Sequence, residues 1–405
     1  MHAEATTRPL ALWLLLATIA LLPFGVAPEL PVLIGAVAGL VELLRGRIDW
    51  RRPTVRIALL LGLAYWLPQF ISAWDSVAPD KSWSEVALDL RFLPFLLWVA
   101  AARWRVRDAR WLTVGIALVT GFWCADALVQ AVTGVGLAGV VADDRLSGIF
   151  GAGNLKLGGV LALLAPFALL EAWRWRGLPA LLSVTLVLLV VILLAGARAA
   201  WFGFVLGAAL VFWQTFGWRR AALSLGGLLA AACVLVALAY AGSPRFAERV
   251  DRTVAAASAD RDALDHALSG RLEIWETAWR MGQAHPFNGV GVRGFRYAYP
   301  AFAGVDDPFI EGDIGAYHAH QIVLELWSET GLVGLGIWLA ALVVVWRRVR
   351  ALPLAPRRTA TAASIALLVA LFPLNTHYAV YSGFWGLLLI WLVATWLALL
   401  GTDQS

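Results

Sequence analysis

Runs of apolar residues recur from one end of the chain to the other, separated by short polar turns. Each is roughly 16 to 25 residues long, enough to cross a hydrocarbon core about 30 Å thick. Twelve spans are predicted, near residues 10–26, 30–44, 57–74, 87–102, 111–131, 158–173, 180–196, 199–217, 221–241, 321–346, 359–376 and 384–400. None alternates with a period of two, and lipid tolerates no unsatisfied backbone, so the pattern predicts helices. The first run follows a single arginine, Arg8, with no small-residue cleavage site behind it, which predicts a retained anchor.

Composition agrees with that pattern. Of 405 residues, 61% are hydrophobic and only 15% charged, outside the range of an ordinary soluble domain. The expected class is an all-α polytopic membrane protein. Cys124 and Cys233 both fall inside apolar runs and read as small buried side chains, not as a disulfide or a metal pair.

Charge sets the orientation. One alternate set of loops, at 45–56, 103–110, 174–176, 219–220 and 347–358, holds 18 arginines. The short loops of the other set hold only Lys81, Arg145, Lys156 and Arg198. The positive-inside rule makes the first set cytoplasmic, together with both termini, and puts the segment 242–320 outside. The net charge of +5 is then a topology signal, not a nucleic-acid footprint. Three regions follow: helices 1–9 over 1–241, an outer cap over 242–320 and helices 10–12 over 321–405. A loop as long as 242–320 in a compact protein is usually functional, and its Trp, Phe and Tyr content predicts a folded, largely helical cap.

Within the cap, "SGRLEIWETAWRMGQAHP" (269–286) predicts a helix capped by Ser269 and closed by Pro286, with Leu272, Trp275, Trp279 and Gly282 as its apolar stripe. Arg271 sits in the first turn, against the helix dipole. It is either a solvated surface arginine or, with the helix N-terminus, part of an anion site. Arg198 interrupts two apolar runs at the outer boundary between Gly196, Ala197, Ala199 and Ala200. Such a residue either snorkels or, where small neighbours allow close helix approach, points into the bundle as a functional charge. Arg91 reads as structural, paired with Asp89 or Asp126. "DDRLSGIFGAGNLKLGG" (143–159) places Arg145, Asn154 and Lys156 among glycines, a weak phosphate-loop pattern. The last outer turn offers Asn375, His377, Tyr378 and Tyr381, where interfacial aromatics are the bland alternative.

"YHAHQIVLELWSETGLVGL" (317–335) puts His318 and His320 at the mouth of a span whose Gln321, Glu325, Ser328 and Glu329 share one polar face, predicted to line a cleft. The histidines are surface groups, a zinc pair completed by Glu311 or Asp313, or a general base where membrane meets water.

Taken in order, Arg145 with "SGIFGAGN", "GARAAW", "GRLEIWETAWRMGQAHPFNGVGVRGF" (270–295) and "HAHQIVLELWSETGLVGL" resemble the O-antigen ligase and polymerase superfamily of bacterial envelope glycosyltransferases. Ala319 and Gln321 stand where the ligase branch typically has Pro and Asn, and Ala152-Gly153-Asn154 where the family often has Asn-Pro-Asn. The resemblance implies about 12 transmembrane helices of GT-C-like type, with the cap between helices 9 and 10, in the bacterial inner membrane and with the active site on the periplasmic face. It implies transfer of O-antigen from undecaprenyl diphosphate to a sugar hydroxyl of lipid A–core by a monomer. Carried over by position, His320 is the essential histidine and Arg198 and Arg271 the essential arginines. Arg145, Asn154, Lys156, Trp275, Arg293, Tyr317, His318, Gln321, His377 and Tyr381 are the expected substrate-binding set. The first outer turn has only Glu29, and Asp260-Arg261-Asp262 reads as a solvated helix face, so no metal or other cofactor is expected. A polymerase extending the glycan on its carrier and a lipid-anion transporter are the competing readings.

Overall fold

The computed structural model describes residues 4–140, 145–242, 247–248, 250–251, 270–304, 306–373 and 379–403. The chain is an all-α polytopic membrane protein. It begins with α1 (Glu4–Leu21), α2 (Glu29–Leu44) and α3 (Pro53–Ser72), the last continued by a 3-10 turn over Ala73–Asp75. Then come α4 (Pro79–Asp89), α5 (Phe92–Ala101), α6 (Val106–Thr133), α7 (Lys156–Arg176), α8 (Leu178–Leu194), α9 (Arg198–Phe216) and α10 (Trp218–Gly242). The described part of the expected cap supplies α11 (Arg271–Ala284) and α12 (Phe295–Phe302). Helices α13 (Ile322–Arg350), α14 (Leu354–Thr359), α15 (Thr361–Ala370) and α16 (Gly383–Leu400) complete the chain. Pro53 and Pro79 open α3 and α4 at positions where a missing N–H costs nothing. Two minimal strand pairs remain. Residues 104–105 run parallel to 402–403, with Trp104 opposite Thr402, and 135–136 pair antiparallel with 139–140.

Every one of the twelve predicted spans carries a helix, but among the described residues seven helices are long and apolar enough to cross a membrane alone. Shorter apolar helices cover Leu10–Leu21, Leu178–Leu194 and Thr361–Ala370. The predicted span 87–102 is broken: α4 ends at Asp89, and the apolar α5 begins at Phe92. The break is where Arg91 turns its guanidinium onto both Glu29 carboxylate oxygens (2.9 and 3.1 Å) and Asp89 (3.3 Å). Asp126, the other partner considered, instead accepts the Leu137 N–H at 2.8 Å.

The chain divides into two compact units. One is built from 1–112, 273–367 and 378–405. In it α5 packs against α2, α3 and α16, and α13 lies along α3. From Trp385 to Leu400 every residue of α16 is buried, as expected of a helix apolar all round. The other unit comprises 113–272 and 368–377. Its centre is α7, buried from Leu157 to Ala172 and packed against α8 and α9.

Candidate active site

In the second unit, three cations open helices: Lys156 is the first residue of α7, Arg198 of α9 and Arg271 of α11. Each sits at the positive end of a helix dipole, a position that favours a nearby anion. Small residues bring two of these ends together. A Cβ on Gly158 would stand 3.2 Å from Ala195, 3.4 Å from Ala200 and 3.7 Å from Ala197, so the turn before Arg198 presses on the first turn of α7. Arg271 is mostly buried, and burial together with the nearby positive charge of Arg198 holds its guanidinium below the ordinary arginine value. The two arginines therefore share one electrostatic neighbourhood.

The 145–156 segment is tied beside them. Leu146 donates to the Leu194 carbonyl (3.2 Å), and the Gln130 side-chain oxygen accepts the Ser147 and Gly148 N–H groups (3.1 and 2.8 Å). Arg145 is half-buried. Asn154 accepts the Lys156 N–H at 3.1 Å, ordering the start of α7.

The first unit holds the rest. Helix α11 buries Ile274, Thr277, Ala278, Met281 and Gly282. This corrects the predicted stripe: Trp275 is half-buried and Trp279 exposed, and the indoles lie at the rim while Ile274, Ala278 and Met281 face the core. Trp327 of α13 fills the space above Gly282, its Nε1–H donating to the Trp279 carbonyl (3.3 Å). Ser269, Asp260-Arg261-Asp262, Asn375, His377 and Tyr378 lie outside the described residues.

A break in α13 organises this unit. Gly331 adopts φ 61 and ψ −160 inside the helix, and a Cβ there would collide with the Phe287 carbonyl. The backbone groups freed by the break are taken up by the segment after α11. Leu332 and Val333 donate to the Pro286 and Phe287 carbonyls (2.8 and 3.2 Å), while Val290 and Gly291 donate to Ser328 and Glu329 carbonyls (2.8 and 3.1 Å). The polar face of α13 is buried here, not open to a cleft as its pattern predicted. Glu329 accepts the Arg293 and Phe295 N–H groups (3.1 and 3.4 Å), and Glu325 accepts those of Val380 and Tyr381 (2.9 and 3.1 Å). These carboxylates brace two loops, a task that their spacing of four residues makes possible.

Arg293 is thereby held in a left-handed conformation (φ 62), with its guanidinium donating to the Tyr381 carbonyl (3.3 Å) and lying 3.8 Å from Glu85. Tyr381 is buried with its ring 5.6 Å from that of Tyr65, and burial raises its phenol above the ordinary value.

In "AYHAH" (316–320), Ala316 and Ala319 are buried in the cluster around Ile274, Phe295 and Tyr299, whereas Tyr317 is exposed and His318 and His320 are half-buried. The alanines anchor the strand of chain and leave the other side chains to the surface. His320 sits at φ 53, a left-handed geometry unfavourable for a residue with a side chain, directly before the N-cap of α13. Its ring lies 3.9 Å from that of His318. Gln321 is that N-cap, its oxygen accepting the Leu324 N–H at 2.6 Å. Among the described residues no group of three or more His, Cys, Asp or Glu is arranged to hold a metal.

Residues 182–339 match the family model described as O-antigen ligase. Over that stretch the chain is similar to the O-antigen ligase/polymerase superfamily. The matched stretch carries Arg198, Arg271, Trp275, Arg293, His318, His320 and the broken start of α13, but not Arg145, Asn154, Lys156 or Tyr381. It supports a membrane-embedded activity of the ligase/polymerase type. No curated protein matches the chain.

Proposed function

We propose that the protein is an O-antigen ligase, which transfers a glycan from undecaprenyl diphosphate to a sugar hydroxyl of lipid A–core at the periplasmic face of the inner membrane. What supports this reading is that Arg198 and Arg271 each open a helix and that the charge of Arg198 bears on Arg271. A lipid diphosphate is a good leaving group once its charge is neutralised, and two arginines supply bidentate, permanently charged contacts for that. Lys156 adds a third cation at the start of α7. His320 takes the proton of the attacking hydroxyl, an effect worth about 10²–10⁴-fold in rate. Attack from the face opposite the diphosphate inverts the anomeric centre, and the reaction needs no metal.

Purified protein with undecaprenyl-diphosphate-linked O-antigen, lipid A–core and excess EDTA tests the reading. Wild type is expected to form smooth lipopolysaccharide, and His320→Ala to lose at least about 100-fold of that rate. Glycan lengthening on the carrier would identify a polymerase instead, and activity abolished by EDTA would overturn the metal-free mechanism.

A further inference from the structure

Beyond the expected site residues, one cation in the first unit stands apart from the ion pairs around it. Arg296, on α12, projects its guanidinium over the Tyr317 ring at 4.3 Å from the centroid, with the Tyr297 ring at 5.7 Å. Its Nε–H is buried and donates to no acceptor among the described residues. Among the described residues no carboxylate lies within ion-pair reach of it. A half-buried guanidinium with no carboxylate partner among the described residues distinguishes Arg296 from Arg91 and Arg293, both of which face carboxylates.

The geometry around it is rigid. Gly315 donates to the Arg296 carbonyl (2.8 Å) and lies so close to the Tyr299 ring that no side chain would fit there. Ala316 is then buried, and Tyr317 emerges with 69% of its surface exposed. The result is an open aromatic face with a positive charge stacked against it, one residue before His318 and three before His320. An aromatic face takes the apolar side of a sugar ring, and a planar guanidinium takes phosphate or carboxylate with a forked pair of N–H groups.

We propose that Arg296 and Tyr317 form a subsite for an anionic sugar of the acceptor glycan, one bearing phosphate or carboxylate. This rests on the ligase reading for its choice of acceptor over donor: the histidine nearby is the group that would meet the acceptor hydroxyl, and the donor's diphosphate is assigned to Arg198 and Arg271. Arg296 positions and selects; it takes no proton.

The test compares three acceptors: native lipid A–core, the same after phosphatase, and the same after phosphatase and carboxyl reduction. Arg296→Gln is expected to raise KM for the native acceptor by about tenfold or more with kcat little changed, and to leave the fully neutral acceptor unaffected. Arg296→Lys, which keeps the charge but loses the fork, falls between. Loss of the effect after phosphatase alone assigns the anion as phosphate, and its persistence assigns carboxylate. Equal penalties on native and neutral acceptors, or a change confined to kcat, would overturn the subsite. Equilibrium binding of the same acceptors without donor separates the two readings. Arg296-dependent preference for the anionic acceptor without any transfer would refute the ligase and keep the subsite. Absence of that preference would refute the subsite even where transfer proceeds.

Discussion

Glu85 shows how one residue can be set against its surroundings. It lies on α4, outside the helices long enough to cross a membrane. Its carboxyl is pushed up from 4.5 to about 7, chiefly by burial and then by the charge of Asp89, while Arg293 pulls the other way. Because ionisation is harder in the folded chain than in the unfolded one, this group favours folding fully below about pH 4.5, and that advantage fades as pH rises towards 7. Glu85→Gln removes the charge without changing shape. The variant should match wild type in thermal stability near pH 4.5 and exceed it at pH 8, by on the order of 2 kcal/mol. A variant less stable at pH 8 would mean that pairing with Arg293 outweighs burial. At this scale the sequence was legible where a residue broke its local pattern. Arg198 among small residues and Arg271 in a first turn both stood out, and the two share one neighbourhood. Glu85 and Arg296 gave no such signal, since their surroundings are assembled from segments distant in sequence.

At the scale of elements, the break in α13 is the feature that periodicity could not show. "LELWSETGLVGLG" reads as one continuous helix with a polar face, and Gly331 looks no different from Gly334 or Gly336. What separates them is the partner: the 286–291 segment docks on the freed backbone at Gly331, whereas a Cβ on Gly336 would meet open space. The two substitutions should therefore act in opposite directions. Gly331→Ala combines a left-handed backbone with a collision against Phe287 and should cost about 2 kcal/mol or more, read as a lower Tm in detergent. Gly336→Ala sits in regular helix and should stabilise by up to about 1 kcal/mol. If both lowered Tm alike, the break would not be what the glycine serves. The same logic explains Glu325 and Glu329. Their spacing announced a polar face, but only the two loops that they hold determine that the face is closed rather than lining a cleft.

For the molecule as a whole, apolar runs gave the helix positions and arginines gave their sense of crossing, because both are properties of the chain against its solvent and need no tertiary contact. Helices shorter than a full span and the interrupted 87–102 run depend instead on what packs beside them, so their crossing count is not a matter of composition. The orientation can be tested on each compact unit separately. In a background with Cys124 and Cys233 changed to Ser, Asp80→Cys reports on the first unit and Trp175→Cys on the second; both positions are exposed. A membrane-impermeant maleimide applied to intact spheroplasts should label the cysteine at 80 and reach the one at 175 only after permeabilisation. Position 175 lies between Arg174 and Arg176, where the positive-inside rule demands cytoplasm, and position 80 lies at the start of α4, where the nearest cation is Lys81. Labelling of 175 without permeabilisation would invert the second unit and put Lys156 and Arg198 on the wrong side for a periplasmic donor. Labelling of neither would mean that α4 is shielded by lipid, and the broken 87–102 run would then have to be read as a membrane element of its own.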